Sequence, residues 1–585
     1  MPQRVRLFST LVTVLLLSAC ARSGGGGGST APTPSARPVS ADAQLLEMVD
    51  QRRPDTLLVD KLLSDPDPVR RARTALAIGQ ARVQLRYPQL RQLLLDGDTA
   101  IAANAAFALG IARDVQAVGA LGRAVSGAPD AVAREAAWAL GEMGEMGRGA
   151  ILQGLGEGLS SPVTQSPVAS RAPAVRAALV LATVKLRNAP IGVVTPWLGD
   201  ASPDVVRAAA YVIARLRAPA GVRAILAVRT HADEEVRQHV ARALARSAAG
   251  DSLRALAIPT LREMLRDSSE RVRVNAVQSA ASYGAALAAE VETMLRDRAR
   301  NVRVATAEAY AEVGARDVDR WQRAWQMDTL LAVRRPLLQH IRAAELSLFT
   351  DAELQWSQSP DWRVRVAALG NGERGRVIDS ALAKRLVTDP DVRVRRVARA
   401  RLGIRDSSNA TAAVQPAAPR STAPIPRRLQ DYEALVHKYW DASAPAPRAY
   451  IDTEQGTITL ELFGREAPLV VEAFTRLAQQ GKYRNTTFHR VVPNFVVQDG
   501  DIANGTGAPE PPFSLREAWS RQRHGRGCLG LATAGPDTGG SQYYMCHSTQ
   551  PHLDGGYTVF GRVIDGFDVM DRLVQGDVML QVRVP

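Results

Sequence analysis

Phe488-His489-Arg490-Val491-Val492-Pro493-Asn494-Phe495-Val496-Val497-Gln498-Asp499-Gly500-Asp501 is the stretch that decides how the last quarter of this chain is read. It joins one arginine, one glutamine and several apolar rings, with no acid/base pair, no metal ligands and no nucleophile. Two segments downstream extend the pattern: Gly540-Ser541-Gln542-Tyr543-Tyr544, and His552-Leu553-Asp554-Gly555 running into Val559-Phe560-Gly561. Upstream, Ala449–Thr453, a Glu454-Gln455-Gly456 turn and Thr457–Phe463 alternate as an opening hairpin. Pro468 to Gln480 predicts a helix with Val471, Phe474 and Leu477 on its apolar face and Gly481 as its stop. Further β-rich runs fall at Gly527–Thr533, Tyr543–Cys546 and Tyr557–Val563.

Three ordered motifs in one short region are a far stronger signal than any one alone. Together they resemble the cyclophilin-type peptidyl-prolyl isomerases, over roughly Ala449 to Pro585. The resemblance implies a closed antiparallel β-barrel with flanking helices, proline-containing polypeptide clients, no cofactor and no metal. It implies Arg490 and Gln498 as the catalytic pair. Phe488, Phe495, Val496, Tyr544 and Leu553 would build the proline-ring pocket. Gln542, Ala532, Thr533, His552 and Tyr557 would complete the substrate-binding edge, Gln542 by bonding the substrate backbone and Thr533 mainly through its own. His489 and His524 need no catalytic role, because rotation about an amide transfers no proton. Tyr557, Val496 and His552 depart from the histidine, methionine and tryptophan of the animal pattern, which implies isomerase activity with weak cyclosporin sensitivity. The fold would also set Cys528 beside Cys546, where a disulfide is geometrically conceivable and two buried free thiols are the preferred reading.

The N-terminus reads as a targeting segment. Arg4 and Arg6 precede an apolar run from Leu7 to Leu17, too short for a confident membrane span and shaped like a secretory h-region. Leu17-Ser18-Ala19-Cys20 resembles a bacterial lipobox, implying a signal peptide over 1–19, lipid attachment at Cys20 and membrane anchoring. Ala21 after the cysteine implies the outer membrane of a diderm bacterium, facing the periplasm. Residues 20–41, with the Gly24–Gly28 run and a Pro/Ser-rich stretch, read as a flexible tether.

From 42 to 403 the composition shifts to Ala, Leu, Val and Arg, and a period appears. Gly79, Gly110 and Gly141 recur 31 residues apart. Arg176, Arg207, Arg237, Arg273, Arg303, Arg334, Arg365 and Arg395 follow at steps of 30 to 36. Such constancy means stacked supersecondary units, about eleven here, with an insertion around Ser160–Pro173. In Asp67-Pro68-Val69-Arg70 the aspartate suits the N-cap and the proline the first helical position, with Val69, Ala72 and Leu76 on the buried face. The units resemble HEAT-like or phycobilisome-lyase-type helix pairs, an architecture that hosts many binding functions, and predict an all-α solenoid.

A net charge of +14 would permit nucleic-acid binding. The arginines, however, recur at the one phase where HEAT repeats pair them with acids of the next unit. Aromatic residues for stacking on bases are scarce, and an export signal removes the chain from the cytoplasm, so no nucleic-acid partner is expected. Residues 404–448 read as a linker containing a short amphipathic helix, Arg427–Trp440, able to dock on either domain. The expectation is a lipid-anchored envelope isomerase, 449–585, whose solenoid binds a protein partner or client. The competing expectation is a scaffold that binds proline-containing segments without turnover.

Overall fold

An aspartate followed by a helix-compatible residue starts helix after helix in the N-terminal array. Asp67 accepts from the Val69 amide at 2.9 Å and Pro68 opens the helix Pro68–Gln80. Asp98, Asp233, Asp361 and Asp391 cap later helices in the same way, each satisfying an amide that the helix itself leaves unpaired. The computed structural model describes residues 39–246, 253–310, 318–343, 355–369, 380–404, 427–441, 443–502 and 514–585. The segment expected as a signal peptide, Cys20, all but the end of the expected 20–41 tether, and residues 405–426 and 442 of the expected linker lie outside these residues.

The glycine period has a packing cause. A Cβ on Gly79 would stand 2.8 Å from Ala108, one on Gly110 2.9 Å from Ala139, and one on Gly141 3.1 Å from Ala182. Each glycine therefore lets its helix close onto an alanine of the next unit. The last of these steps spans the insertion, where Pro162–Gln165 forms a short extra helix.

The arginine period has an electrostatic cause. Arg176 grips Asp200 through both carboxylate oxygens at 2.9 Å, as Arg237 does Asp267, Arg273 Asp297 and Arg365 Asp389 at 2.7–3.0 Å. The third guanidinium nitrogen turns back onto its own loop, as Arg273 Nη1 does to the carbonyls of Asp267 and Ser268. Each acceptor aspartate also takes an amide two residues on, such as Ser269 to Asp267. The ladder that the resemblance to HEAT repeats implied is present. The face expected for the first unit needs correction: Ala72 is buried, but Val69 is 53% exposed and Leu76 only half-buried. The equivalent Val206 and Val394 are buried.

The C-terminal domain is a nine-stranded antiparallel sheet. Its strands are β1 (Arg448–Thr453), β2 (Gly456–Leu462), β3 (Thr486–Thr487), β4 (Arg490–Val492), β5 (Val496–Asp499), β6 (Cys528–Leu531), β7 (Tyr543–Cys546), β8 (Val559–Asp565) and β9 (Val578–Arg583). The order is β3-β9-β1-β2-β8-β6-β7-β5-β4, so the two ends of the curled sheet are consecutive in sequence, joined by Phe488-His489. Helix Pro468–Gln479 covers it, with Phe474 packed on Tyr483, Tyr543 and Phe560 at 5.4–5.6 Å between centroids. The run expected as strand over Gly527–Thr533 pairs only over Cys528–Leu531, and Tyr557–Thr558 lie ahead of β8, where the Thr558 hydroxyl accepts from the Ala518 amide at 2.8 Å and its carbonyl from the Leu531 amide at 2.9 Å. Cys528 and Cys546 are both buried free thiols, 3.1 Å apart between sulfurs.

The array wraps this domain. From its first unit to its late ones, inward-facing side chains bind the C-terminal domain: Gln80 to the Trp519 carbonyl, Glu235 to Thr549 at 2.9–3.3 Å, and Arg271 to the His547 carbonyl at 2.9 Å. Further along, Asn301 donates to the carbonyls of Asp571 and Leu573, and Arg300 takes both oxygens of Asp577 at 2.9 Å. Val574 sits in one buried cluster with Leu295, Val304 and Tyr310 of the array. The amphipathic helix, observed at Leu429–Tyr439, docks on both partners. Tyr432 donates to Asp50 in the first helix at 2.7 Å, while Tyr439 and Lys438 bind Glu472 of the C-terminal domain at 2.8 and 2.7 Å.

Candidate active site

Antiparallel register places the two central side chains together. Arg490 on β4 lies directly opposite Gln498 on β5, and Gln498 opposite Tyr544 on β7, so all three project from one face. Arg490 Nη1 donates to Gln498 Oε1 at 3.4 Å, a long bond, and Gln498 Nε2 donates to Gln542 Oε1 at 3.0 Å. The guanidinium lies 5.5 Å from the centre of the Phe495 ring, close enough for cation–π attraction. Burial lowers its pKa and the neighbouring Tyr557 opposes that shift, yet an arginine stays charged at neutral pH.

Beside this charge lies an apolar cluster of Val496, Tyr544, Leu553, Phe495, Ala532 and Tyr557. Gly530 faces Tyr544 across the sheet, and its missing side chain is the space that the ring fills. The Tyr544 hydroxyl binds His524 Nε2 at 2.9 Å, and His524 Nδ1 binds Asp554 at 2.8 Å. The chain of bonds fixes the tyrosine ring and leaves His524 fully buried at its back, a structural role in keeping with expectation. The Ala532 amide donates to the Gln542 carbonyl at 3.0 Å, which ties one edge of the cleft to the other; Thr533 follows, half-buried.

Phe488 is a correction. Expected as a pocket wall, it has no exposed surface. Its amide and carbonyl bind Asp577 and Gly576, so it anchors the strand that carries Arg490 from within the core.

His552 shows what the motif did not reveal. Its ring stacks on Phe495 at 5.7 Å, and its Nδ1 meets the hydroxyl of Tyr211, a residue of the solenoid, at 3.1 Å. Burial, with Arg215 and Arg242 nearby, pushes its pKa down to about 4, so the ring is neutral at pH 7. Behind it Phe107 and Trp138 stack at 4.5 Å with Arg523 over both, and Trp138 closes against Gly555. These aromatics stand in an array otherwise poor in rings, and that contrast is the sequence signal that could have marked the docking face. Among the described residues, no cluster of three or more His, Cys, Asp or Glu is arranged to hold a metal ion.

Residues 448–584 match the family of cyclophilin type peptidyl-prolyl cis-trans isomerases, and residues 56–141 and 191–268 match HEAT repeats. A peptidyl-prolyl cis-trans isomerase of Helicobacter pylori is 44% identical over 137 residues, 23% of this chain and 85% of its own. The chain belongs to the cyclophilin-type peptidyl-prolyl isomerases. Peptidyl-prolyl cis-trans isomerase B of Bacillus subtilis is 43% identical over 137 residues, covering 96% of that protein. A crystal structure of a cyclophilin type isomerase of Cryptosporidium parvum aligns at 26% identity and a TM-score of 0.23, over 24% of this chain and 98% of that one. Both relatives align with the cyclophilin domain; the array that embraces it accounts for most of the chain.

Proposed function

We propose that Arg490 catalyses rotation about X-Pro bonds of polypeptide clients, with Gln498 aligning it and the Phe495–Tyr544–Leu553 cluster seating the proline ring. The barrier, about 18–20 kcal/mol, comes from delocalisation of the nitrogen lone pair into the carbonyl. At the twisted geometry that lone pair localises on nitrogen, so a fixed guanidinium binds the transition state more strongly than either planar form. Nothing covalent is needed. The observation that carries this reading is the placement of Arg490, held over Phe495 and opposite Gln498 at the rim of an apolar pocket. Such a pocket excludes water and strengthens the charge it borders.

Prolyl-peptide isomerisation by the full chain is the test, with Arg490→Ala beside it. The substitution should lower kcat/KM by roughly a hundredfold, the scale of removing one pre-aimed donor. Equal rates in the two proteins would refute the role. Turnover by neither would favour the scaffold that only binds proline-containing segments.

The envelope location rests on the Leu7–Leu17 run and Cys20. Acyl chains at about 0.8 kcal/mol per buried CH₂ would anchor the protein firmly once more than one is attached, and a Cys20→Ser form should leave the membrane fraction. The solenoid holds its own isomerase domain along its inner face, so we read its first role as presenting that domain to clients. Any further protein partner would meet a rigid two-domain body.

A further inference from the structure

Next to the prolyl pocket is a second cleft, about 430 Å³, shared by the isomerase domain and the solenoid. Phe495 and His552 form part of its wall and also belong to the active site, so a peptide seated on Phe495 continues into it. The opposite wall comes from three solenoid helices, Pro203–Leu216, Glu234–Ala243 and Glu270–Ala281; the first two carry Arg215 and Arg242, and Arg217 caps the end of the first.

These three arginines differ from those of the ladder. Among the described residues, none of their side chains makes an ion pair or hydrogen bond, whereas Arg207 and Arg237, on the same two helices, bind Asp233 and Asp267. Arg242 is largely desolvated, and Arg215 and Arg217 depress its pKa further. Three like charges are thus gathered around one opening with no acid to neutralise them. A second observation points the same way. Gln238 and His239 border the same cleft, are 1% and 7% exposed, and carry a side-chain nitrogen, Nε2 and Nδ1, with no hydrogen-bond partner. Buried polar atoms are rarely left unsatisfied, because each costs about 1–3 kcal/mol. An occupant rich in acceptor oxygens would meet the three charges and the Gln238 amide together.

We propose that the solenoid adds an acidic-residue subsite to the isomerase, so that clients carrying Asp or Glu close to the proline are preferred. This rests on the proposed prolyl-isomerase reading of Arg490. The carboxylate sits against Arg215, Arg217 and Arg242, and the selectivity belongs to the repeats rather than to the catalytic domain.

The experiment uses the full chain and matched prolyl peptides with Gln, Glu or Lys at each flanking position. Isomerisation and fluorescence anisotropy are both measured. Glu peptides should show a kcat/KM roughly tenfold above Gln peptides at low salt, mainly through KM, with the advantage shrinking as salt screens the cleft. In Arg215→Gln/Arg217→Gln/Arg242→Gln, Glu and Gln peptides should become equivalent, and Arg215→Glu alone should shift preference toward Lys peptides. Equal handling of Glu and Gln by the unaltered protein, or a preference that survives the triple substitution, overturns the proposal. Arg490→Ala separates the two claims: Glu-peptide binding that persists without turnover supports the subsite, and Glu binding no tighter than Gln in that variant counts against it.

Discussion

Tyr211 and His552 are 341 residues apart in sequence and touch at 3.1 Å, and this pair decides how the site responds to acid. Burial holds His552 at a pKa of about 4 and His239, behind Tyr211, at about 3, against an ordinary value near 6.5. Between pH 6.5 and 4 the unfolded chain therefore binds protons that the native chain refuses, and stability falls as pH falls. Below those native values the loss levels off. His552→Phe should show a shallower decline across that window, by up to one proton's slope, in urea unfolding at stepped pH. Asp499 and Glu517, pushed up by burial to about 7, act in the opposite sense and are common to both proteins. The thiols make a second test at this scale. Cys528 and Cys546 should both alkylate after denaturation without reductant, whereas a mass lower by two hydrogens would mean they pair. Arg490, Gln498, Gln542 and Tyr544 were legible in the sequence because ordered short motifs carry them. Phe488 was not, since the break between β3 and β4 at Phe488-His489 resets the alternation that would have put it on the same face as Arg490.

At the scale of the element, the two periods act through different physics and fail differently. Gly110 admits the backbone of the next helix, so Gly110→Val should cost about 1–3 kcal/mol by overpacking. Arg273 and Asp297 are almost fully buried as a pair, with side chains 7% and 8% exposed. Arg273→Ala leaves that carboxylate without its cation and should cost about 3–5 kcal/mol, measured as a lowered urea midpoint. The ladder could be anticipated because one residue type recurs at the one phase where HEAT repeats pair it with acids. The docking face left only the rings of Phe107 and Trp138 as a mark, because helices such as Thr99–Ala112 are apolar all round and do not otherwise say which side meets the next unit and which meets another domain.

For the whole molecule, catalysis and scaffold are mechanically one body. Arg300 and Asn301 hold Asp577, Asp571 and Leu573 at the end of the isomerase domain that includes β9. Arg300→Ala/Asn301→Ala should speed hydrogen exchange at residues 567–583 while leaving the ladder amides near Arg176 and Arg207 protected; uniform change across both domains would mean the contact does not act locally. Array and sheet domain were told apart by composition, period and motifs, but the embrace was not foreseen, since its contacts join residues hundreds of positions apart.

The returning helix Leu429–Tyr439 has a consequence for biosynthesis. Asp50, only 3% exposed in the finished protein, is bound by Arg427 and Tyr432, which follow it by 377 and 382 residues. At roughly 5–20 residues per second a ribosome needs about 20 to 80 s to deliver them. Throughout that interval the nascent chain carries an aspartate without its mates and a helix without its lid, and a segment made early is among the last to find its final neighbours.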